Sequence, residues 1–80
     1  MGDINAKFKN NYSENRQWVI WDLGRDSGNP PVVFNGYLDS GSETDWITLS
    51  DAGDVMYQRP TDGAPTHPMT VRDGDTVNMD

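Results

Sequence analysis

Two acidic turns hold the side chains best equipped for chemistry. The stretch "DSGSETD" presents Asp39, Ser42, Glu43 and Asp45, and "RDGD" presents Asp73 and Asp75. Several hard oxygen donors on a flexible, glycine-containing loop are what Ca²⁺ requires. Neither turn has the EF-hand spacing or the glycine-rich nonapeptide repeat, so a calcium site would need the two to meet at one end of the fold. Ordinary turn chemistry is the better reading, because eleven of the thirteen acids are aspartate, a residue that bonds its own backbone in turns. On the calcium reading, adding Ca²⁺ would raise the melting temperature. No other cofactor is expected.

Other reactive groups are scarce. His67 is the only histidine and lies between Thr66 and Pro68. No serine sits in a G-x-S-x-G elbow, so nucleophilic catalysis has no triad to use. The chain has no cysteine, which removes disulfides, thiolate metal sites and a thiol nucleophile, and one imidazole does not make a zinc site. Phosphate-cradling glycine loops are missing too. An enzyme is therefore the reading with the least support.

Aromatic residues are the richest signal. Phe8, Tyr12, Trp18, Trp21, Phe34, Tyr37, Trp46 and Tyr57 make up 10% of the chain. In "RQWVIWDL" (16–23), strand geometry places Val19, Trp21 and Leu23 on one face and Trp18 and Ile20 on the other, so both faces are apolar. A chain this short encloses little. The three-residue stripe is the expected inward face, with Trp21, Phe34 and Trp46 forming a core, and Trp18 and Ile20 are expected to look outward, with Asp22 marking where that face meets water. Tyr37 and Tyr57 complete the expected binding set.

The elements that would position these residues are all strands. No stretch of 11 to 18 residues repeats apolar positions at helical spacing without a glycine or proline. In "INAKFKNNY", Ile4, Ala6 and Phe8 alternate with Asn5, Lys7 and Lys9, the mark of a half-buried strand. "VVFNGYLDSG" reads in two ways: a tight hairpin at Asn35-Gly36, or, preferred, a continuous strand with a bulge at Gly36 and Val32, Phe34 and Leu38 on one face. "WITL", "VMYQR", "MTVR" and "TVNM" follow. The nine residues "PTDGAPTHP" are expected to stay out of any ladder, and Asp73-Gly74 suits a hairpin turn between the last two strands. Such spacing of short strands predicts one all-β domain over residues 1–80, a small antiparallel β-sandwich (Ig-like or Greek-key) or partly open barrel of about six or seven strands.

Charge narrows the partners. Residues 1–37 hold four acids and four bases, whereas residues 38–80 hold nine acids against Arg59 and Arg72, so the net charge of −7 lies in the second half. That field disfavours direct nucleic-acid binding and anionic membranes. No apolar run approaches the ~20 residues of a membrane span, so the expectation is a soluble protein, cytoplasmic by default with secretion left open. The leading expectation is a non-catalytic interaction module that meets a protein partner, or a second copy of itself as a homo-oligomer, through the face of Trp18 and Ile20. The alternatives are a carbohydrate-binding module stacking sugars on Trp18, Tyr37 or Tyr57, and an acidic decoy that mimics nucleic-acid charge. The leading reading turns on Trp18 pointing away from the interior.

Overall fold

Alternation dictates the first strand. In β1 (Ile4–Asn10) the side chains of Ala6, Phe8 and Asn10 are buried, while Asn5, Lys7 and Lys9 lie on the opposite side. The computed structural model describes residues 2–80, which continue through β2 (Arg16–Asp22), β3 (Val32–Leu38), β4 (Ile47–Leu49), β5 (Asp54–Gln58), β6 (His67–Thr70) and β7 (Thr76–Met79). A single 3-10 turn, Pro60–Asp62, interrupts them. The fold is all-β, as its turn-rich sequence predicts.

Two sheets pack together as a small sandwich, one of three strands in the order β4-β1-β7 and one of four in the order β3-β2-β5-β6. The three-stranded sheet contributes Ala6, Phe8, Leu49, Val77 and Met79 to the core, and the four-stranded sheet contributes Trp18, Ile20, Leu38, Val55 and Tyr57. Each large side chain among them that leaves water adds about 1.5–3 kcal/mol. No helix of the described residues is long and apolar enough to cross a membrane.

Three local expectations are corrected. First, β7 does not form a hairpin with the strand before it but pairs in parallel with β1, Lys7 opposite Thr76 and Asn10 opposite Met79. The turn at Asp73–Asp75 explains this: Gly74 N–H donates to Asn5 O and Lys7 N–H to Asp75 O, so the chain re-enters beside the start of β1 and must run the same way. Second, His67 and Pro68 do join a ladder, opposite Tyr57 and Met56. β6 is an edge strand, the one sheet position where a residue without an N–H costs little. Third, β3 runs unbroken through Gly36, but its irregularity falls between Phe34 and Val32 rather than at Gly36. The extra residue, Val33, turns Val32 away from Phe34 and Leu38, to the outside. The Phe34 ring lies over Gly36, 3.4 Å from where a Cβ would stand, an ordinary van der Waals distance.

Two fully buried polar side chains clasp the crossings between sheets. Asn10 donates through Nδ2 to Glu14 O at 2.9 Å and Leu38 O at 2.8 Å, and its Oδ1 accepts from Tyr12 N–H at 2.9 Å. Asp22 accepts from Ser50 N–H at 3.0 Å, Ser50 Oγ at 3.1 Å and Arg25 N–H at 3.2 Å. Satisfied in this way, neither incurs the penalty of a buried unpaired group.

Gly53 shows how tightly the β4–β5 turn is drawn in. Its φ is +74°, and a Cβ there would run into the Val71 carbonyl oxygen. Gly53→Ala is expected to destabilise the protein by more than about 1 kcal/mol, read as a drop in urea midpoint at unchanged m-value.

Candidate functional site

The two apolar faces of β2 are both present, with their roles exchanged. Trp18 and Ile20 are fully enclosed, so the expectation of an outward pair is overturned. Each sits opposite an inward residue of the flanking strands: Trp18 faces Gly36 on β3, and Ile20 faces Phe34 on β3 and Tyr57 on β5. Tyr57 is buried with them at 8% exposure and packs against Trp18 with ring centroids 5.9 Å apart. Asp22, expected in water, is buried beside Ser50. Gly36 places no side chain of its own across from the indole.

Charged groups roof this buried pair at one end. The Arg59 guanidinium lies 4.1 Å from the Tyr12 ring and 5.7 Å from the Trp18 ring, with Arg16 5.2 Å from Tyr12. Asp62 joins the two arginines, accepting from Arg16 Nε at 3.1 Å and Arg59 Nη1 at 2.8 Å, while Arg16 Nη2 reaches Glu14 at 3.0 Å. Desolvation alone would lower the Arg16 pKa, but the Asp62 hydrogen bond and the charges of Asp62, Glu14 and Tyr12 outweigh it and raise it. His67 stacks on Tyr57 at 5.1 Å. Ion pairs and ring contacts hold these groups together, so the cluster closes the core rather than offering a cleft. Trp18 Nε1 and Arg59 Nε are its two donors without an acceptor among the described residues.

The outer face of the four-stranded sheet is where apolar surface is left over. Val32, Trp21, Met56 and Pro68 stand side by side across all four strands, one from each, in register. Val32 is 54% exposed, and Trp21 and Met56 are half-buried. Above this row lie Asn35, Val19 and Gln58, then Tyr37 and Gln17. Tyr37, of the expected binding set, is open at 65% exposure, beside Gln17, whose amide donates to Asn35 Oδ1 at 2.8 Å. Below it Leu23 lines a groove of about 380 Å³ with Asp54, Pro68, Met69 and Thr70. Asp54 is the one charged side chain of the face and already accepts from Thr70 Oγ1 at 2.9 Å.

The opposite side of the molecule differs. The outer face of the three-stranded sheet carries Asn5, Lys7 and Lys9, paired with Thr48, Thr76 and Asn78. Trp46, expected in the core, instead stands there at 52% exposure with Lys7 Nζ 4.9 Å from its ring centroid.

The acidic turns do not meet. The Asp39–Asp45 loop docks on the end of β1, Gly41 N–H donating to Asn10 O and Asn10 N–H to Ser42 O, whereas the Asp73–Asp75 turn holds Asn5 and Lys7 near its beginning. Five residues of strand separate Asn5 from Asn10, about 17 Å at ~3.3 Å per residue, which keeps Asp39 and Ser42 away from the Asp73–Asp75 turn. Asp45, drawn to the middle of β1 by Thr44 N–H donating to Phe8 O, lies on the β4 edge of that strand, whereas the turn leads into β7 on the other edge. Asp39 accepts from Asn15 Nδ2 and Asp73 from Asn5 N–H, both ties to distant parts of the chain, and Asp75 from Arg72 N–H within its own turn. Ser42 and Glu43 are exposed, the latter bridging Lys9 through its backbone, and Asp45 is exposed next to them. Among the described residues no three histidine or acidic side chains gather as metal ligands.

No protein family matches the chain, and neither a curated protein nor a solved structure shows significant similarity to it. Its function is therefore argued from these surfaces alone.

Trp21, Leu23, Val32 and Met56 were not singled out by the sequence as binding residues. The available signal was Gln17, a polar but uncharged residue in the same row as Val19, Trp21 and Leu23. Enclosure of the indole has a direct consequence: Trp18→Ala is expected to cost about 3–5 kcal/mol, collapsing the thermal transition, whereas Tyr37→Ala leaves it in place.

Proposed function

We propose that the protein is a non-catalytic interaction module that docks a protein partner through the outer face of its four-stranded sheet, centred on Trp21. The observation that carries this reading is the composition of that face. In a chain with 24% charged residues, four strands present Trp21, Val32, Met56 and Pro68 around the buried Val19, with amides and hydroxyls about them and the Asp54 carboxylate at one end. A contiguous apolar face of a few hundred Å² on a single chain is characteristic of docking sites, and depletion of charge with enrichment in Trp, Tyr and Met marks the centre of interfaces.

Charge permits a second copy as the partner at this face, where it would oppose one elsewhere on the surface. Two chains of −7 repel wherever their acidic loops approach, and like-charge contacts across an interface are costly. Pairing through this face keeps the carboxylates of Asp39, Glu43, Asp45 and Asp73 out of the contact. A basic partner, in contrast, would find no acidic groups on the apolar row to recognise.

Light scattering across a concentration series is expected to show a monomer–dimer equilibrium that strengthens with salt, because screening weakens the repulsion and leaves the apolar contact intact. Trp21→Asp, and independently Val32→Asp at an exposed position, should give monomer only with the far-UV circular dichroism unchanged. A purely monomeric wild-type protein at all concentrations rules out self-pairing, and binding that weakens with salt favours the acidic-decoy alternative.

A further inference from the structure

We infer that the groove around Trp46, on the opposite sheet from the docking face, is a binding site for a neutral pyranose sugar. The groove has a volume of about 360 Å³ and is lined by Asn5, Trp46, Asp73 and Gly74, at the lower end of the range for small-molecule sites. Its one apolar element is a flat, half-exposed indole. The remaining groups are hydrogen-bonding, and the geometry around them fixes which ones are spare.

Asn5 Oδ1 accepts the Thr48 hydroxyl at 3.0 Å, so the other end of the amide, Nδ2, is a donor with no partner among the described residues. Asp73 Oδ1 accepts Asn5 N–H at 2.9 Å, which holds the carboxylate in place and leaves Oδ2 as an acceptor. Lys7 Nζ covers one side of the indole, 4.9 Å from its centroid, and stands outside the lining of the groove. Gly74, at φ +87°, keeps the groove clear, since nothing lies within 4 Å of where a Cβ would be.

This donor set selects by elimination. An apolar ligand would leave the carboxylate and the amide desolvated without partners. A phosphate or carboxylate ligand is repelled by Asp73 within a field of −7, and a cationic ligand is repelled by Lys7, which already occupies the indole's attraction for positive charge. A neutral polyol ring meets every group. Its C–H face lies on the side of the indole that Lys7 leaves open, one hydroxyl donates to Asp73 Oδ2, a charge-assisted bond, and a neighbouring hydroxyl accepts from Asn5 Nδ2. The ring stacks and the vicinal pair is read by one acceptor and one donor.

The test is a titration of ¹⁵N-labelled protein with methyl glucoside, methyl galactoside, methyl mannoside and methyl N-acetylglucosaminide, following the three indole N–H resonances assigned through Trp→Phe variants. At least one glycoside is expected to shift the Trp46 resonance saturably with a dissociation constant near about 1 mM, leaving that of buried Trp18 unmoved. Trp46→Ala should abolish binding, and Asp73→Asn, which keeps the oxygen that caps Asn5, should weaken it roughly tenfold without altering the melting temperature. No shift at Trp46 with any of the four glycosides overturns the inference. So does binding of glucuronate as tight as that of methyl glucoside, because an anion would then be tolerated beside Asp73.

Discussion

A sandwich of three strands against four encloses one face of each strand and no more. The rest of the structure follows from how β2 meets that limit, since its seven residues carry large apolar side chains on both sides. The face of Trp18 and Ile20 has taken the interior with Phe8, and Trp21 has been left half-buried on the other side, where its neighbour Val19 is covered. Gly36 stands across from the indole without a side chain, and the Phe34 ring lies over it. Tyr57, Val55 and Leu38 then have their orientation fixed by register, and so do Met56, Gln58 and Tyr37, which must look the other way.

The width mismatch between the sheets shapes the surface further. β6 pairs with β5 but has no strand of the smaller sheet opposite it, so even its inward-pointing residues His67 and Met69 remain exposed. One finds shelter by stacking on Tyr57, and the other borders the groove at Leu23. The molecule is thereby two-sided. One flank is apolar and almost free of charge, and the other carries lysines, hydroxyls and amides around a single open tryptophan.

Much of the fold was legible in the sequence. Alternation in β1 gave its buried residues, the turn residues gave the strand spacing, and the preference for a continuous β3 over a hairpin at Asn35-Gly36 agreed with the structure because neither residue has the positive φ that such a turn needs. The orientation of β2 was not legible, and the reason is specific. The row Arg16, Trp18, Ile20, Asp22 has a charge at each end, which reads as a face reaching water. In the folded chain Arg16 is held by Asp62 and Asp22 by Ser50, partners 46 and 28 residues away. Interactions that distant leave no trace in local pattern, and they alone decide that a strand with charged ends is the interior one. Trp46 was misjudged for a related reason: apolarity marks a core candidate, but only the pairing of Ala6 with Ile47 determines that its predecessor faces out beside Lys7.

The parallel pairing of the first strand with the last carries a consequence for how the chain acquires its shape. Lys7 waits for Thr76 as its neighbour, so the smaller sheet closes only after residues 76–79 have emerged from the ribosome. Until then β1 has a bare edge with Phe8 uncovered by Val77. Contacts so remote along the chain slow folding, toward the millisecond-to-second regime of sandwich topologies. During that interval the nascent protein is most exposed to wrong pairing, and Lys7 and Lys9 put like charges on the unpaired strand, the kind of residue that discourages one bare edge from joining another.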